Sequence, residues 1–85
     1  MQEVKFSLHA IEKLKALQRE LPITRESVIQ TITQPDSLQV LEEDKRLAQK
    51  QLTDKLLLQV VYREFTAFIL TITVYPGRRS RYEKN

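Results

Sequence analysis

The 85-residue sequence has no cysteine, no tryptophan, one glycine and one histidine. Without cysteine there is no disulfide, no thiolate metal site and no cysteine nucleophile. With His9 as its only imidazole, the chain lacks the usual ligands of a zinc site. The single glycine, Gly77, leaves few loose joints and no phosphate-cradling loop. Neither Gly-x-Ser-x-Gly nor His-Glu-x-x-His occurs, so those hydrolase classes are unsupported, and no cofactor or metal is expected. The start, MQEVKFSLHA, lacks the basic and apolar segments of a secretory leader. The longest apolar-rich run, near residues 65–75, is too short and too rich in threonine to span a bilayer as a helix. Small secreted domains often carry disulfides, so their absence points to the cytoplasm, with no membrane partner.

What is present is ordinary for a globular chain, with 41% hydrophobic and 29% charged residues. Its length makes residues 1–85 a single domain. A chain this short buries only about 60–65% of its unfolded surface. It is marginal alone, so a partner or a homodimer would add stability.

The chain has no internal repeat and no linker. Residues 4–6 read as a short edge strand. Ser7 is a good N-cap for a helix running to about Glu20. At about 100° per residue, Ala10, Ile11, Leu14, Leu17 and Leu21 form one buried stripe. Pro22 breaks this helix. Thr24 caps a second, in which Val28, Ile29 and Ile32 share a face, and Pro35 stops it.

From Leu38 the period becomes two. Strands are expected over 38–43, 46–52, 56–63 and 66–75, joined by turns short enough to demand antiparallel hairpins. In the third, Leu56, Leu58, Val60 and Tyr62 oppose Leu57, Gln59, Val61 and Arg63. In the fourth, strict alternation sets Phe68, Leu70, Ile72 and Val74 against Ala67, Ile69, Thr71, Thr73 and Tyr75. The expected fold is α+β, with two N-terminal helices packed on one face of a four-stranded antiparallel sheet.

The formal charge is +3. The basic C-terminal tail, 76–85, carries Arg78, Arg79, Arg81 and Lys84 against Glu83 alone, so the rest of the chain is neutral. A sheet leading into such a tail suggests a platform that meets an anion.

Several stretches together resemble a known group. FSLHAIEKL opens a helix with a histidine in its first turn. PITRESVIQTITQPD is a second helix closed by Pro-Asp. LQVVYREFTAFILTITVY ends on Thr-x-Tyr, with Arg81-Tyr82 beyond it. The pattern, over about residues 6–82, is similar to small prokaryotic proteins grouped with the RelE/ParE and BrnT-like toxins, in the barnase–colicin–RelE superfamily of ribonuclease-like folds. The resemblance implies a RelE-like toxin-type domain, often paired with an antitoxin and often a messenger-RNA endonuclease. Some relatives target gyrase instead.

The candidate residues are set by the chemistry of metal-free RNA cleavage, which needs a base for the 2′-OH proton and an acid for the leaving oxygen. His9 is the natural group for either task and lies off the apolar stripe, beside Lys13. Its plain alternative is an exposed or capping histidine. Lys50, mid-strand, is a candidate to stabilise phosphate charge. Its parity matches Ala48 and Leu52, so either it snorkels from the core side or the register is shifted by one. Thr73, on the same strand face as Thr71 and Tyr75, offers a hydroxyl to a phosphate or a proton, although threonine is also an ordinary strand residue. Arg63 is placed to contact phosphate or to pair with Glu64. Arg78, Arg79 and Arg81 are suited to phosphate and Tyr82 to stacking on a base, unless the tail is simply solvated. Glu42, Glu43 and Asp44 read as a solvated turn.

The leading expectation is a metal-independent endoribonuclease of a toxin–antitoxin pair, with RNA and an antitoxin as partners. The alternatives are a non-catalytic binding module and a homodimeric accessory protein.

Overall fold

The computed structural model describes residues 2–78. The elements are β1 (Glu3–Phe6), α1 (Leu8–Gln18), α2 (Arg25–Thr33), β2 (Ser37–Val40), β3 (Lys45–Thr53), β4 (Leu56–Glu64) and β5 (Phe68–Arg78), with a tight turn at Glu42–Asp44. Both helices begin where their caps direct. Ser7 Oγ accepts from the Ala10 amide at 3.1 Å. Thr24 and Ser27 form a reciprocal capping box, each side-chain oxygen accepting the other's backbone N–H. Such caps satisfy donors that the first helical turn leaves open.

The strand order is β1-β5-β4-β3-β2. β2 to β5 form the antiparallel meander expected from the short turns. β1 adds a fifth strand, parallel to β5, with Glu3 opposite Phe68 and Phe6 opposite Thr71. The expected four-stranded antiparallel sheet is therefore corrected to a five-stranded mixed one. The direction of β1 depends on where α1 carries the chain next, and four residues hold no local record of that. Its partner lies more than sixty residues away along the chain, as the register shows.

One face of the sheet carries the core. Leu14, Val28 and Ile32 from the helices cluster with Ala48, Leu58, Val60, Tyr62, Ile69 and Val74 from the strands. Val4, Phe6, Leu17 and Leu21 pack around them half-buried. Truncating a fully buried residue such as Leu58 to alanine costs about 2–5 kcal/mol in such settings. Ile11, expected in the buried stripe, is 36% exposed, so the buried face of α1 is narrower than its apolar pattern.

The main departure from simple alternation is a β-bulge. Val61 pairs with Thr73 and Tyr62 with Thr71, which leaves Ile72 unmatched. An extra residue reverses the facing of everything before it. Val74, Thr71 and Ile69 are consequently all buried, although strict alternation sets Val74 opposite the other two. The expected facing holds for Val74 and is inverted from Thr71 back to Phe68. The start of α1 pins the bulge: Ser7 N–H donates to Thr71 O at 2.9 Å and Ser7 Oγ to Ile72 O at 3.0 Å.

β5 also runs past the expected end at Tyr75, with Pro76 opposite Leu58 and Gly77 opposite Leu57. β1 reaches only to the level of Thr71, so β5 is an edge beyond that point, where a proline without an N–H is tolerated. β2 is shorter than expected because Glu43 and Asp44, with φ of 60° and 61°, turn the chain sharply. Among the described residues no helix is long and apolar enough to cross a membrane.

Candidate functional site

The fold joins two of the three residues nominated for catalysis. His9 is the second residue of α1, and Thr73 is the first residue of β5 beyond the bulge. His9 Nε2 and Thr73 Oγ1 are 3.1 Å apart, within hydrogen-bond reach, with the proton on either partner according to the imidazole tautomer. Ser7 is the joint that brings them together. It caps the helix bearing His9 and holds the carbonyl of Ile72, the residue before Thr73. His9 is exposed and Thr73 half-buried.

Cross-strand partners project to the same face, so Thr73 shares the outer sheet face, away from the helices, with its partner Val61 and hence with Arg63. Arg63 lies two residues further along β4, about 7 Å at ordinary strand rise. Among the described residues the other imidazole nitrogen of His9 has no protein partner, so no carboxylate orients it. Nor do the described residues contain a cluster of histidine and carboxylate side chains able to hold a metal ion.

Lys50 lies elsewhere. Of the two readings left open for it, the unshifted register holds: Lys50 is in step with buried Ala48, and its stem rises on the helix side of the sheet. The amine donates to Gln34 O, at the end of α2, at 3.0 Å and stands 4.0 Å from Asp36 Oδ1. Asp36 Oδ2 in turn accepts from the Gln51 amide at 2.8 Å. Lys50 thus closes the C-terminus of α2 against β3, a favourable place for a cation. It is two strands from Thr73, with β4 between them.

Arg63 does not pair with Glu64, which is bound instead by Arg46 at 2.6 Å. Its guanidinium lies 5.6 Å from the ring centroid of Phe65. Phe65 stacks on Phe68 at 4.8 Å, and the Lys5 amine sits 4.7 Å from the Phe68 centroid. Two cations therefore flank a pair of aromatic rings at one end of the outer face. Sequence reasoning missed Lys5, Phe65 and Phe68 as members of a site. The basic and aromatic residue types were a signal, but β1 had no assigned neighbour and the bulge concealed the facing of Phe68. Further along, Gln49 donates to Gln59 Oε1 at 2.8 Å, and Gln59 is only 2% exposed, so the centre of this face is a dry amide contact.

Arg78 ends β5 opposite Leu56. Its side chain, and all of Arg79, Arg81 and Tyr82, lie outside the described residues. An open cleft of about 430 Å³, lined by Gln2, Arg46, Glu64, Phe65 and Thr66, holds none of the nominated residues. Tyr62, buried beside that ion pair, has its phenol pushed above the ordinary 10.0, chiefly by burial, with Arg46 opposing and Glu64 reinforcing the rise.

Comparison with protein-family models, with curated proteins and with solved structures yields no match.

Proposed function

We propose that this chain is a toxin-like, metal-independent endoribonuclease with a RelE-like fold, held in check by an antitoxin. The observation that carries the reading is the His9–Thr73 pair at 3.1 Å, set at the edge of the outer sheet face that also bears Arg63. In this reading RNA lies along that face. His9 accepts the 2′-OH proton, and the 2′-oxygen attacks the adjacent phosphorus. The P–O5′ bond breaks, and the 5′-oxygen leaves with a proton from a donor such as water. The products are a 2′,3′-cyclic phosphate and a 5′-hydroxyl. Thr73 orients the imidazole, and a positioned base of this kind contributes about 10²–10⁴-fold. Arg63 meets the charge that builds on the phosphate oxygens. Arg78 is five residues from Thr73, about 16 Å along the strand, so it suits a neighbouring phosphate rather than the scissile one. Arg79, Arg81 and Tyr82 complete the contacts, the tyrosine by stacking.

A second reading is a module that binds RNA without cutting it. What favours it is the lack, among the described residues, of a carboxylate to orient His9.

The test is incubation of the purified chain with single-stranded RNA and with translating ribosomes, in the presence of a metal chelator. Mapped ends should be cyclic phosphates and 5′-hydroxyls. His9→Ala should lower the rate at least about a hundredfold with the fold intact. Binding without cleavage supports the second reading, and neither binding nor cleavage removes both. Growth arrest on induction, relieved by His9→Ala, is the corresponding test in cells.

A further inference from the structure

We infer that the free edge of β2 is a docking site for an extended basic peptide, which adds to the sheet as a sixth strand. β2 is the last strand of the sheet, and all four of its residues are exposed. Its sequence, Ser-Leu-Gln-Val, alternates polar and apolar and contains no charge. Edge strands are commonly protected by brevity, by charged residues, by proline or by a bulge; β2 is short, at four residues, but carries no charge, proline or bulge.

Its backbone is ready for pairing. Leu41 N–H donates to Lys45 O at 2.7 Å, so residues 41, 39 and 37 turn their hydrogen-bonding groups toward β3. Leu38 and Val40 fall between them and direct their N–H and C=O groups outward. The same two residues carry the exposed apolar side chains. Leu38 is 51% and Val40 70% exposed, both on the helix side in register with Ala48 and Arg46. One short segment thus offers four backbone hydrogen bonds and two apolar contacts at alternate positions, the pattern by which sheet edges capture extended peptides.

Charge selects the occupant. Asp36 precedes β2, with a side chain 57% exposed that stands 4.0 Å from the Lys50 amine and accepts from the Gln51 amide, and Glu42, Glu43 and Asp44 come after it. Lys45 answers Glu43 at 3.3 Å, whereas Glu42 and Asp44 have no ion-pair partner among the described residues. The strand is neutral, with a partly answered acid at its start and two unanswered acids, Glu42 and Asp44, past its end. In the antiparallel self-pairing that sets Leu38 against Val40 of a second copy, Asp36 falls opposite Glu42. Like charges meet at both ends, which disfavours a homodimer through this edge. A peptide with lysine or arginine flanking an alternating apolar core meets complementary charge at each end. This site is independent of His9 and Thr73, which lie on the opposite side of the sheet order.

The experiment uses a fluorescent peptide of alternating valine and threonine with two lysines at each end, its glutamate-flanked counterpart, and a lysine-flanked version N-methylated at alternate amides. Anisotropy titration of the full chain should show the lysine-flanked peptide binding at least about tenfold more tightly than either control. Amide shifts in nuclear magnetic resonance spectra should centre on residues 36–44. Val40→Lys should weaken binding at least about tenfold, as should Glu42→Lys combined with Asp44→Lys. These positions are exposed, and circular dichroism verifies each fold. The proposal is overturned by equal affinity for both charge types, by insensitivity to Val40→Lys, or by no binding up to about 1 mM. It is equally overturned if light scattering finds a dimer that Val40→Lys dissociates, which would assign the edge to a second copy.

Discussion

At the residue scale, two buried hydroxyls are the most informative groups after His9. Thr71 Oγ1 is fully buried and has no hydrogen-bond partner. A desolvated hydroxyl without a partner costs about 1–3 kcal/mol, and valine has nearly the same shape. Thr71→Val is therefore expected to raise stability by about 1 kcal/mol, read as a higher urea midpoint at unchanged slope. An unchanged or lower midpoint would mean that the hydroxyl is satisfied after all. Tyr62 makes a pH prediction. Its phenol is raised above 10.0 by burial, so the native state holds that proton more tightly than the unfolded chain. The stabilising contribution is complete below pH 10 and is lost as pH climbs from there through the folded value. Urea midpoints between pH 8 and 11 should fall at the alkaline end, and Tyr62→Phe should reduce that fall. An identical alkaline loss in the variant would assign the effect to other groups.

At the element scale, the joint between α1 and β5 and the β2–β3 turn matter for opposite reasons. Ser7 makes four bonds at the first joint: its hydroxyl accepts from Ala10 and donates to Ile72 O, its N–H donates to Thr71 O and its carbonyl accepts from Ile11, so local capping and long-range docking share one residue. The sequence showed the cap, because serine before an apolar-periodic run is a local signal. The bulge contacts were not visible, since they join positions about sixty-five residues apart. The turn at Glu42–Asp44 is strained by contrast. Glu43 sits at φ 60°, ψ 36°, in the left-handed region where a Cβ costs about 1–2 kcal/mol. Glu43→Gly should stabilise the protein by about 0.5–1 kcal/mol after allowance for glycine's greater unfolded freedom. The lost ion pair with Lys45 subtracts little, because Glu43 is 74% exposed. Thermal unfolding at neutral pH is the measurement, and a lower midpoint would show that the strain is relieved in some other way.

At the scale of the whole molecule, charge is distributed in a way that the proposed function makes testable. Arg63 and Lys5 stand at one end of the outer face, Arg78 ends β5 at the other, and Arg79 and Arg81 follow it in the sequence; the acids of the β2–β3 turn precede Lys45, the cross-strand partner of Arg63. RNA on the outer face would touch about four phosphates through these cations. Binding of single-stranded RNA should then weaken with salt with a logarithmic slope of about −3. A slope near zero would place the RNA, if it binds, away from these residues. Arg63→Ala should make the slope shallower, while Lys50→Ala should leave it unchanged and act on stability, because Lys50 closes α2.

The sequence alone determined the features that neighbours in the chain dictate. Caps at Ser7 and Thr24, breaks at Pro22 and Pro35, the change of period after Leu38 and the core facing of Leu58, Val60 and Tyr62 are all local. The parity of Lys50 stayed open between a snorkelling lysine and a shifted register, and the structure decided it through pairing with β4 and the contacts to Gln34 and Asp36. Tertiary structure decided whatever required two distant segments to meet. It paired β1 with β5, inserted the bulge at Ile72, set His9 against Thr73, and assembled Lys5, Phe68, Phe65 and Arg63 from three strands and the turn between two of them. A bulge adds a residue without disturbing composition or propensity, so alternation on either side of it reads as one strand. Only the partner strand, with one residue facing two, reveals which way each side chain must point.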